Sequence, residues 1–355
     1  MQIGIDSFAA AGLDLGSSQA LSDAQRLAQL LEEVEQADRS GIDVFGVGEH
    51  HRSDYLDSAP SLILAAAAAR TTRIRLTSAV TVLSADDPVR VFQQFATLDL
   101  LSQGRAEMVV GRGSSVEAYP LFGYDLADYD SLFAEKLGLL LLLREQTEVH
   151  WSGRYRPPLS GQGVYPRPLQ AKLPIWLGVG GTPASFARAG SLGLPLMVAI
   201  IGGDFRRFRP LVDLYRQAGQ QAGYAADQLQ VGVHALGFVG ESDEQARNAY
   251  YPGFERMMTT VGRERGWGPP NRAQFEAACG PTGPYMIGDP QTVAQKVRYI
   301  DGVLGGVSRL TFQMTNALMP HAEMLRAIEL LGTRVAPLVR IPTPDRLASI
   351  APVLG

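Results

Sequence analysis

The sequence is first informative for what it has little of. It contains one cysteine, Cys279, so no disulfide can form within the chain and a reducing compartment is expected. Its longest apolar runs, 62–69 and 137–143, are far shorter than the roughly 18–20 residues that a membrane span requires. The opening residues lack the basic segment of a secretory signal. From these absences we expect a soluble cytoplasmic protein with no part in a membrane.

An excess of charge of one sign is also missing. The chain carries 32 basic and 36 acidic residues, which give a formal net charge of −4. A nucleic-acid-binding domain usually shows a marked basic excess, and no such footprint is present. Hydrophobic residues make up 46% of the chain, which is ordinary for a globular protein with a substantial core. We therefore do not expect a nucleic acid as the partner.

Histidine is scarce, with five residues, and two of them are adjacent. His50 and His51 follow the apolar run 42–47, which is typical of a buried strand, and they are flanked by Glu49 and Arg52. In chains that alternate strands and helices, chemistry collects at the carboxyl ends of the strands. This group of a carboxylate, two imidazoles and a guanidinium is therefore the first candidate site.

The rest of the chain alternates in the same way. Apolar runs typical of strands occur at 2–8, 42–48, 73–83, 105–111, 174–180, 195–201, 230–239 and 307–314. Segments with helical spacing separate them, and two segments, 147–173 and 263–286, break the alternation and are interpreted as insertions, the first as a hairpin. Eight such units predict an α/β fold, a (β/α)8 TIM barrel with insertions, as one domain over 1–340 with a tail over 341–355. A doubly wound sheet is the alternative, but 9–16 does not fit G-x-G-x-x-G.

The segment after the fifth predicted strand resembles a phosphate cradle. It reads Gly178-Val179-Gly180-Gly181-Thr182-Pro183-Ala184-Ser185. Glycines let the backbone approach a ligand, and a helix that begins at Thr182-Pro183 would point its N–H groups and positive dipole end outward. Arg112, between two glycines after the fourth strand, is a candidate counter-charge. An ordinary capped turn between strand and helix explains the same residues, so both interpretations stay open here.

The histidine group also has a structural interpretation. Either ring could be a satisfied core histidine, and Glu49 could serve as a base or orient an imidazole. A metal site is not expected, because adjacent residues on an extended chain point to opposite sides and no further ligand spacing is evident. Arg112 needs an anionic partner, for which Glu49 and a ligand phosphate are both candidates.

Several motifs together resemble the bacterial luciferase-like flavin monooxygenases. These are Glu49-His50-His51, Ser78-Ala79-Val80-Thr81-Val82-Leu83 with Pro88-Val89-Arg90, Leu98-Asp99 with Ser102-Gln103-Gly104-Arg105, and Gly111-Arg112-Gly113. Each motif is weak alone, but their order and spacing match over roughly residues 1–340. The resemblance implies a (β/α)8 barrel, commonly dimeric, that binds FMN.

The resemblance also assigns roles by position. It makes His50 the catalytic imidazole and places Glu49 near the flavin, where Glu49 would orient His50. The Ala79–Val80 bond corresponds to a cis peptide that lies against the flavin ring, and Arg112 corresponds to a phosphate-binding arginine. The cofactor-binding residues implied in this way, together with their neighbours in the same motifs, are Ala79, Val80, Thr81, Arg112, Tyr129, Gly180, Gly181, Thr182 and Ser185.

Three positions depart from luciferase itself. Gly111 stands where luciferase has a reactive cysteine, Gly181 replaces an acidic residue of the cradle, and a second phosphate-binding arginine is replaced near Asp130, so that Tyr129 would assist instead. These differences leave light emission unsupported but do not affect the flavin site as a whole.

The implied function is a monooxygenase that uses reduced FMN and O2 to oxidise a small organic substrate, with a flavin reductase as the supplier of reduced FMN and a homodimer as the assembly. Two alternatives remain open. One is a deazaflavin-dependent enzyme that transfers hydride on the same fold. The other is a flavin-binding protein without catalytic activity.

Overall fold

The computed structural model describes residues 1–14, 19–113 and 115–340. The tail expected over 341–355 lies outside the described residues, so that part of the expected domain organisation is not tested. Within the described part of the chain, no helix is both long and apolar enough to cross a membrane.

Eight parallel strands form a barrel. They are β1 (Gln2–Ser7), β2 (Val44–Val47), β3 (Arg75–Ser78), β4 (Met108–Gly111), β5 (Ile175–Val179), β6 (Leu196–Ala199), β7 (Val231–Val239) and β8 (Arg309–Gln313). Hydrogen-bonded pairing runs β3-β2-β1-β8-β7-β6-β5-β4. Leu76 of β3 donates to the Arg105 carbonyl at 3.0 Å and accepts from the Glu107 amide at 3.1 Å, which closes the ring at its last joint. The predicted barrel is confirmed, with all eight strands inside their expected segments.

Helices surround the barrel. The main ones are Asp23–Arg39, Pro60–Ala68, Pro88–Leu101, Tyr129–Glu145, Pro183–Ser191, Arg209–Gln221, Asp243–Arg265, Pro290–Leu304 and His321–Leu330, and the last continues through Leu331–Val335 into Ala336–Arg340. Proline stands in the first turn of five of these helices, where its missing N–H costs no hydrogen bond. Their apolar faces and the outward side chains of the strands form one continuous core.

The two insertions differ in structure. The first contains the predicted hairpin, in which Glu148–Trp151 pairs antiparallel with Leu159–Gly163. The second, interpreted from the sequence only as an insertion over 263–286, contains the helix Arg272–Ala278, and at its end begins the strand Met286–Gly288, which extends the sheet beside β7. Asn271 caps this helix by accepting from Ala273 N at 2.8 Å, and Phe275 anchors it in the core.

Substitution of two glycines in the surrounding helices tests how closely those helices pack. A Cβ at Gly190 would lie 2.2 Å from the Tyr215 carbonyl oxygen and 2.9 Å from the Gly219 nitrogen, so neither neighbour could move without moving backbone. We expect Gly190→Ala to lower the free energy of unfolding by about 1–3 kcal/mol. Gly138 lies in an equivalent helical setting with nothing within 4 Å. Gly138→Ala should raise stability by about 0.5–1 kcal/mol. Urea unfolding of both variants checks this, and equal midpoints would contradict the packing.

Candidate active site at the carboxyl ends of the strands

A cavity of about 1190 Å³ opens at the carboxyl ends of the barrel strands. Of the residues predicted from the sequence, those that line it are Glu49, His50, Ala79, Val80, Arg112, Tyr129, Gly180, Gly181 and Thr182. Thr81 and Ser185 lie just behind the lining, both buried. The second insertion borders the mouth through Glu264, Trp267 and Tyr285, whereas the first insertion contributes no lining residue in the described part of the chain. The loops after the strands therefore converge on one site.

His50 is held by a carboxylate that the sequence did not single out. Its Nδ1 lies 2.9 Å from Asp57 Oδ2, and its backbone N–H donates to Asp57 Oδ1 at 3.1 Å. The ring packs against Phe8 and Tyr55, with centroids 4.6 and 4.7 Å away. Burial raises the pKa of Asp57, and its contacts with His50 oppose that rise. Because Nδ1 is committed to Asp57, Nε2 is the ring nitrogen left to meet a ligand.

Glu49 orients His51 and not His50, so the predicted partnership was wrong. Glu49 Oε1 lies 3.2 Å from His51 Nε2, and Oε2 accepts from the Val82 backbone at 2.9 Å. The hydrogen bond to Glu49 raises the pKa of His51, and burial only partly opposes the rise. β2 ends at Val47, so the side chains of Glu49, His50 and His51 do not follow the alternation of an extended strand. The long loop after β2 then brings Asp57 back to His50.

The peptide bond between Ala79 and Val80 is cis, as the family resemblance implied. It directly follows β3, so the single strand predicted over 73–83 is divided into β3 and a short strand, Thr81–Val82, which pairs with β4. Both Ala79 and Val80 line the cavity. The Thr81 hydroxyl is buried and has no hydrogen-bond partner among the described residues.

Two strand glycines make room for the Val80 side chain. A Cβ at Gly111 or at Gly178 would lie 2.9 Å from a Val80 methyl carbon. Any side chain at either position would therefore collide with Val80. This collision gives a physical reason why glycine occupies position 111, where luciferase has a cysteine.

Arg112 lies at the end of β4 and has several partners. It pairs with Asp130, donates from Nη2 to the Ser185 hydroxyl at 3.3 Å, and stacks over the Tyr129 ring with its Cζ 4.8 Å from the centroid. Glu49, a candidate partner from the sequence, pairs elsewhere. The Tyr129 hydroxyl donates to the Gly113 carbonyl at 2.8 Å, so Tyr129 supports Arg112 with its ring and uses its hydroxyl on the backbone.

The predicted cradle lies beside Arg112. Thr182 stands at the N-cap position of the helix Pro183–Ser191 in an extended conformation, but its side chain makes no capping hydrogen bond. A Cβ at Gly180 or Gly181 would meet nothing within 4 Å. The glycines are therefore not required by a tight turn or by packing, and the helix N-terminus is open on that side.

A second acid–histidine pair lies deeper in the barrel, and sequence reasoning missed it. His234 Nδ1 on β7 lies 2.6 Å from Asp6 Oδ2 on β1, and the same oxygen accepts from the Thr311 hydroxyl on β8. Phe8 stacks on His234 at 6.0 Å and also contacts His50, so it separates the two acid–histidine pairs. The sequence did contain a signal for this pair, because Asp6 and His234 are each a titratable residue inside a largely apolar strand segment.

Arg52 connects several segments at the mouth of the cavity by ion pairs. Its guanidinium pairs with Asp54 at 2.9 Å, with Glu117 at 2.7 Å and with Glu264 at 2.6 Å, which come from three different segments. These hydrogen bonds and charges raise its pKa. Arg52 therefore acts as a fixed connector between the loops and the second insertion. Over the described ranges, no group of three or more metal-ligating side chains is close enough to hold an ion.

Sequence comparison identifies the family to which a barrel with this site belongs. The chain matches the luciferase-like monooxygenase family over residues 1–305, and it is a member of that family. It is 28% identical over 324 residues to the 4-hydroxyprotoasukamycin monooxygenase of Streptomyces nodosus subsp. asukaensis, covering 86% of this chain and 85% of that protein. It is 23% identical over 350 residues to the 3,6-diketocamphane 1,6-monooxygenase of Pseudomonas putida, covering 86% and 91%. These relatives are monooxygenases, and the protein is accordingly an oxidoreductase.

Solved structures support the fold. The monooxygenase RslO1 from Streptomyces bottropensis aligns with a TM-score of 0.83 at 23% identity, covering 95% of this chain and 99% of that one. The oxygenating constituent of the Pseudomonas putida 3,6-diketocamphane monooxygenase, solved with FMN, aligns with a TM-score of 0.78 at 20% identity, covering 97% and 100%. The coenzyme F420-dependent tetrahydromethanopterin reductase of Methanopyrus kandleri aligns at 0.73 and 18% identity, covering 96% and 99%. At these identities the likeness concerns the fold alone.

Proposed function

We propose that this protein is a flavin-dependent monooxygenase that uses reduced FMN and O2 to oxidise a small organic substrate. The observation that carries the proposal is the placement of the Ala79–Val80 cis peptide, His50 and the Arg112–Ser185 pair around one cavity. The FMN complex of one solved structure with the same fold supports the choice of cofactor. A flavin reductase as the source of reduced FMN and a homodimer as the assembly are parts of the same proposal.

The residues fit a flavin phosphate. Gly180 and Gly181 leave a space that any Cβ would fill, next to the N-terminus of the helix Pro183–Ser191. Backbone N–H groups and the helix dipole favour an anion there. The present partner of Arg112, Asp130, is 74% exposed, so a phosphate could take over the guanidinium without leaving a buried carboxylate unpaired.

When bound, reduced FMN supplies the reaction with O2, for which no protein side chain is suited. The protein contributes position, proton transfer and exclusion of water. Arg112 and Ser185 hold the phosphate end, and Ala79 and Val80 form a wall for the ring. His50, oriented by Asp57, holds or accepts a proton at Nε2. The second insertion, fixed by Arg52, limits access of water to the cavity.

Arg112→Ala is expected to weaken FMN binding about 10- to 100-fold, because a hydrogen bond to a charged group contributes about 1.5–3 kcal/mol. The measurement is a titration followed by flavin fluorescence, with oxidised FMN and anaerobically with reduced FMN. Arg206→Ala is the matched control, since Arg206 pairs with Asp204 on the surface and does not line the cavity. Equal affinities of the two variants would contradict the phosphate assignment, and no binding of either form of FMN to the wild type would refute the proposed function.

A deazaflavin is the second candidate cofactor, because an F420-dependent enzyme shares the fold. The same titration with coenzyme F420 separates the two. The acidic tail of that cofactor should require more cations near the phosphate than Arg112 provides. We therefore expect FMN to bind more tightly, and the reverse order would favour hydride transfer.

A further inference from the structure

One buried polar side chain that lines the cavity has no partner within the described part of the chain. Gln313, the last residue of β8, is 1% exposed and lines the cavity. Neither its carboxamide oxygen nor its nitrogen has a hydrogen-bond partner there. Burying an unpaired amide destabilises a fold, and native structures rarely keep one without a purpose. The carboxamide is therefore a candidate for binding a ligand.

The neighbours of Gln313 do not satisfy it. Asp6 is its register partner on β1, but the Asp6 oxygen that faces β7 and β8 already accepts from His234 and from the Thr311 hydroxyl. Since His234 Nδ1 is engaged by Asp6, its Nε2 is the second hydrogen-bonding atom on this wall. Gln313 and His234 thus form the polar end of the cavity on β7 and β8.

Several apolar side chains lie beside this polar end, together with Arg256 and Thr260 of the helix Asp243–Arg265. Leu236 is the register partner of Gln313 on β7, and Met257, Met258 and Val261 line the cavity from the helix Asp243–Arg265. Ligand pockets that combine apolar walls with a few convergent polar groups bind mainly apolar molecules and orient them by those groups. The deep cation nearby, Arg309, is paired with Glu107 and is not available for an anion.

Gln313 also lies across the barrel from the phosphate site. Arg112 follows β4 and Ser185 follows β5, whereas Gln313 ends β8, and the pairing order separates β8 from β4 by half of the ring. A phosphate held near Arg112 therefore leaves the wall formed by β7, β8 and β1 to another molecule.

We propose that Gln313 orients the substrate, and that the substrate is a mainly apolar molecule with a neutral amide-like edge. This inference rests on the proposed function. A carboxamide presents one N–H donor and one C=O acceptor side by side. A lactam or carboxamide on the ligand satisfies both through two parallel hydrogen bonds. A ketone accepts a hydrogen bond from the Gln313 nitrogen but donates none to its oxygen, and a hydrocarbon forms neither hydrogen bond. A carboxylate would be repelled by the Gln313 oxygen.

The test uses three bicyclic probes of the same shape. These are 3,4-dihydro-2-quinolinone, which has the amide edge, 2-tetralone, which has the carbonyl alone, and tetralin, which has neither. Their affinities are measured by calorimetry with the FMN-loaded protein, for the wild type and for Gln313→Met, which keeps the length of the side chain and removes both polar atoms. Gln313→Leu is the second variant, and the FMN affinity of each protein is measured separately.

We expect the wild type to bind the lactam about five- to tenfold more tightly than the ketone, and the hydrocarbon most weakly. In Gln313→Met the preference for the lactam over the ketone should fall below about twofold. The FMN affinity of this variant should be unchanged, and its thermal midpoint should be unchanged or higher.

A preserved lactam preference would overturn the proposal, as would no binding of any probe up to about 10 mM. A loss of FMN affinity equal to the loss for the lactam would make Gln313 a cofactor residue. Unfolding of both variants would show that the carboxamide serves the fold. Absence of FMN binding in the wild type would instead refute the proposed function.

Discussion

Exchanging His50 for alanine should lower turnover by about 10²- to 10⁴-fold while leaving FMN affinity within about twofold, since general acid–base catalysis contributes a factor of this size. Asp57→Asn should act in the same direction. An amide in place of the carboxylate can donate to Nδ1 and thereby move the imidazole proton to Nε2. Product formation from a panel of small cyclic ketones, lactams and alkenes, with reduced FMN supplied by a flavin reductase, measures the effect.

His150→Ala is the matched control, because His150 lies on the exposed hairpin of the first insertion and does not line the cavity. Its turnover should equal that of the wild type. Unchanged turnover in His50→Ala would remove His50 from the mechanism. A wild type that binds FMN but forms no product from any compound in the panel would favour a non-catalytic flavin-binding protein.

Glu107→Gln should lower the free energy of unfolding by about 3–5 kcal/mol, the usual cost of removing one partner from a buried ion pair. Glu107 accepts from both terminal nitrogens of Arg309 and from Arg75 Nε at 3.0 Å, and the Glu107 and Arg309 side chains are each 2% exposed. Arg309 also stacks over Trp176 at 4.3 Å, so the guanidinium cannot turn to solvent without leaving the barrel interior. The variant would leave this cation buried without its counter-charge.

The control for Glu107 is Glu329→Gln, which breaks an exposed pair with Arg326 of 2.8 Å and should change stability by less than about 1 kcal/mol. Urea unfolding of both variants gives the comparison. Equal effects would mean that water reaches the barrel interior and screens the Glu107–Arg309 pair.

The Glu107 pair also has a defined pH dependence. Burial by itself raises the pKa of Glu107, but the charges and hydrogen bonds of Arg309 and then Arg75 outweigh it, so the net pKa lies below the usual 4.5. A carboxyl whose pKa is lower in the folded state adds stability above the unfolded value and loses it as pH falls through the folded value. The stability difference between the wild type and Glu107→Gln should therefore be full above about pH 5 and shrink below about pH 4.5. A difference that stays constant down to pH 3 would contradict this assignment.

The sequence was sufficient for the architecture because barrel strands and their helices carry local signals. Each strand is a short apolar run, and Pro88, Pro183 and Pro290 mark helix starts that need no partner elsewhere in the chain. The same local signals placed Glu49, His50 and Arg112 at strand ends, where a barrel gathers its loops. The helix Arg272–Ala278 inside 263–286 was not predicted, because it has only seven residues and lies among glycines and prolines.

Local sequence signals do not predict which side chains the site residues contact. His50 and His51 are chemically equal neighbours in the sequence, and only the return of the loop to Asp57 distinguishes them. Asp130 was noted only as a replacement for an arginine, whereas in the fold it pairs with Arg112.

The sequence by itself determined the number of strands, their order and the end of the barrel at which the candidate site lies, because these depend on spacing over a few residues. Only the tertiary structure decided which side chains meet: His234 and Asp6 are separated by 228 residues, and Arg309 and Glu107 by 202. Such pairs form because barrel closure brings side chains of distant, unpaired strands together in the barrel interior. No local pattern encodes these meetings, and the same closure leaves Gln313 buried without a partner in the described chain.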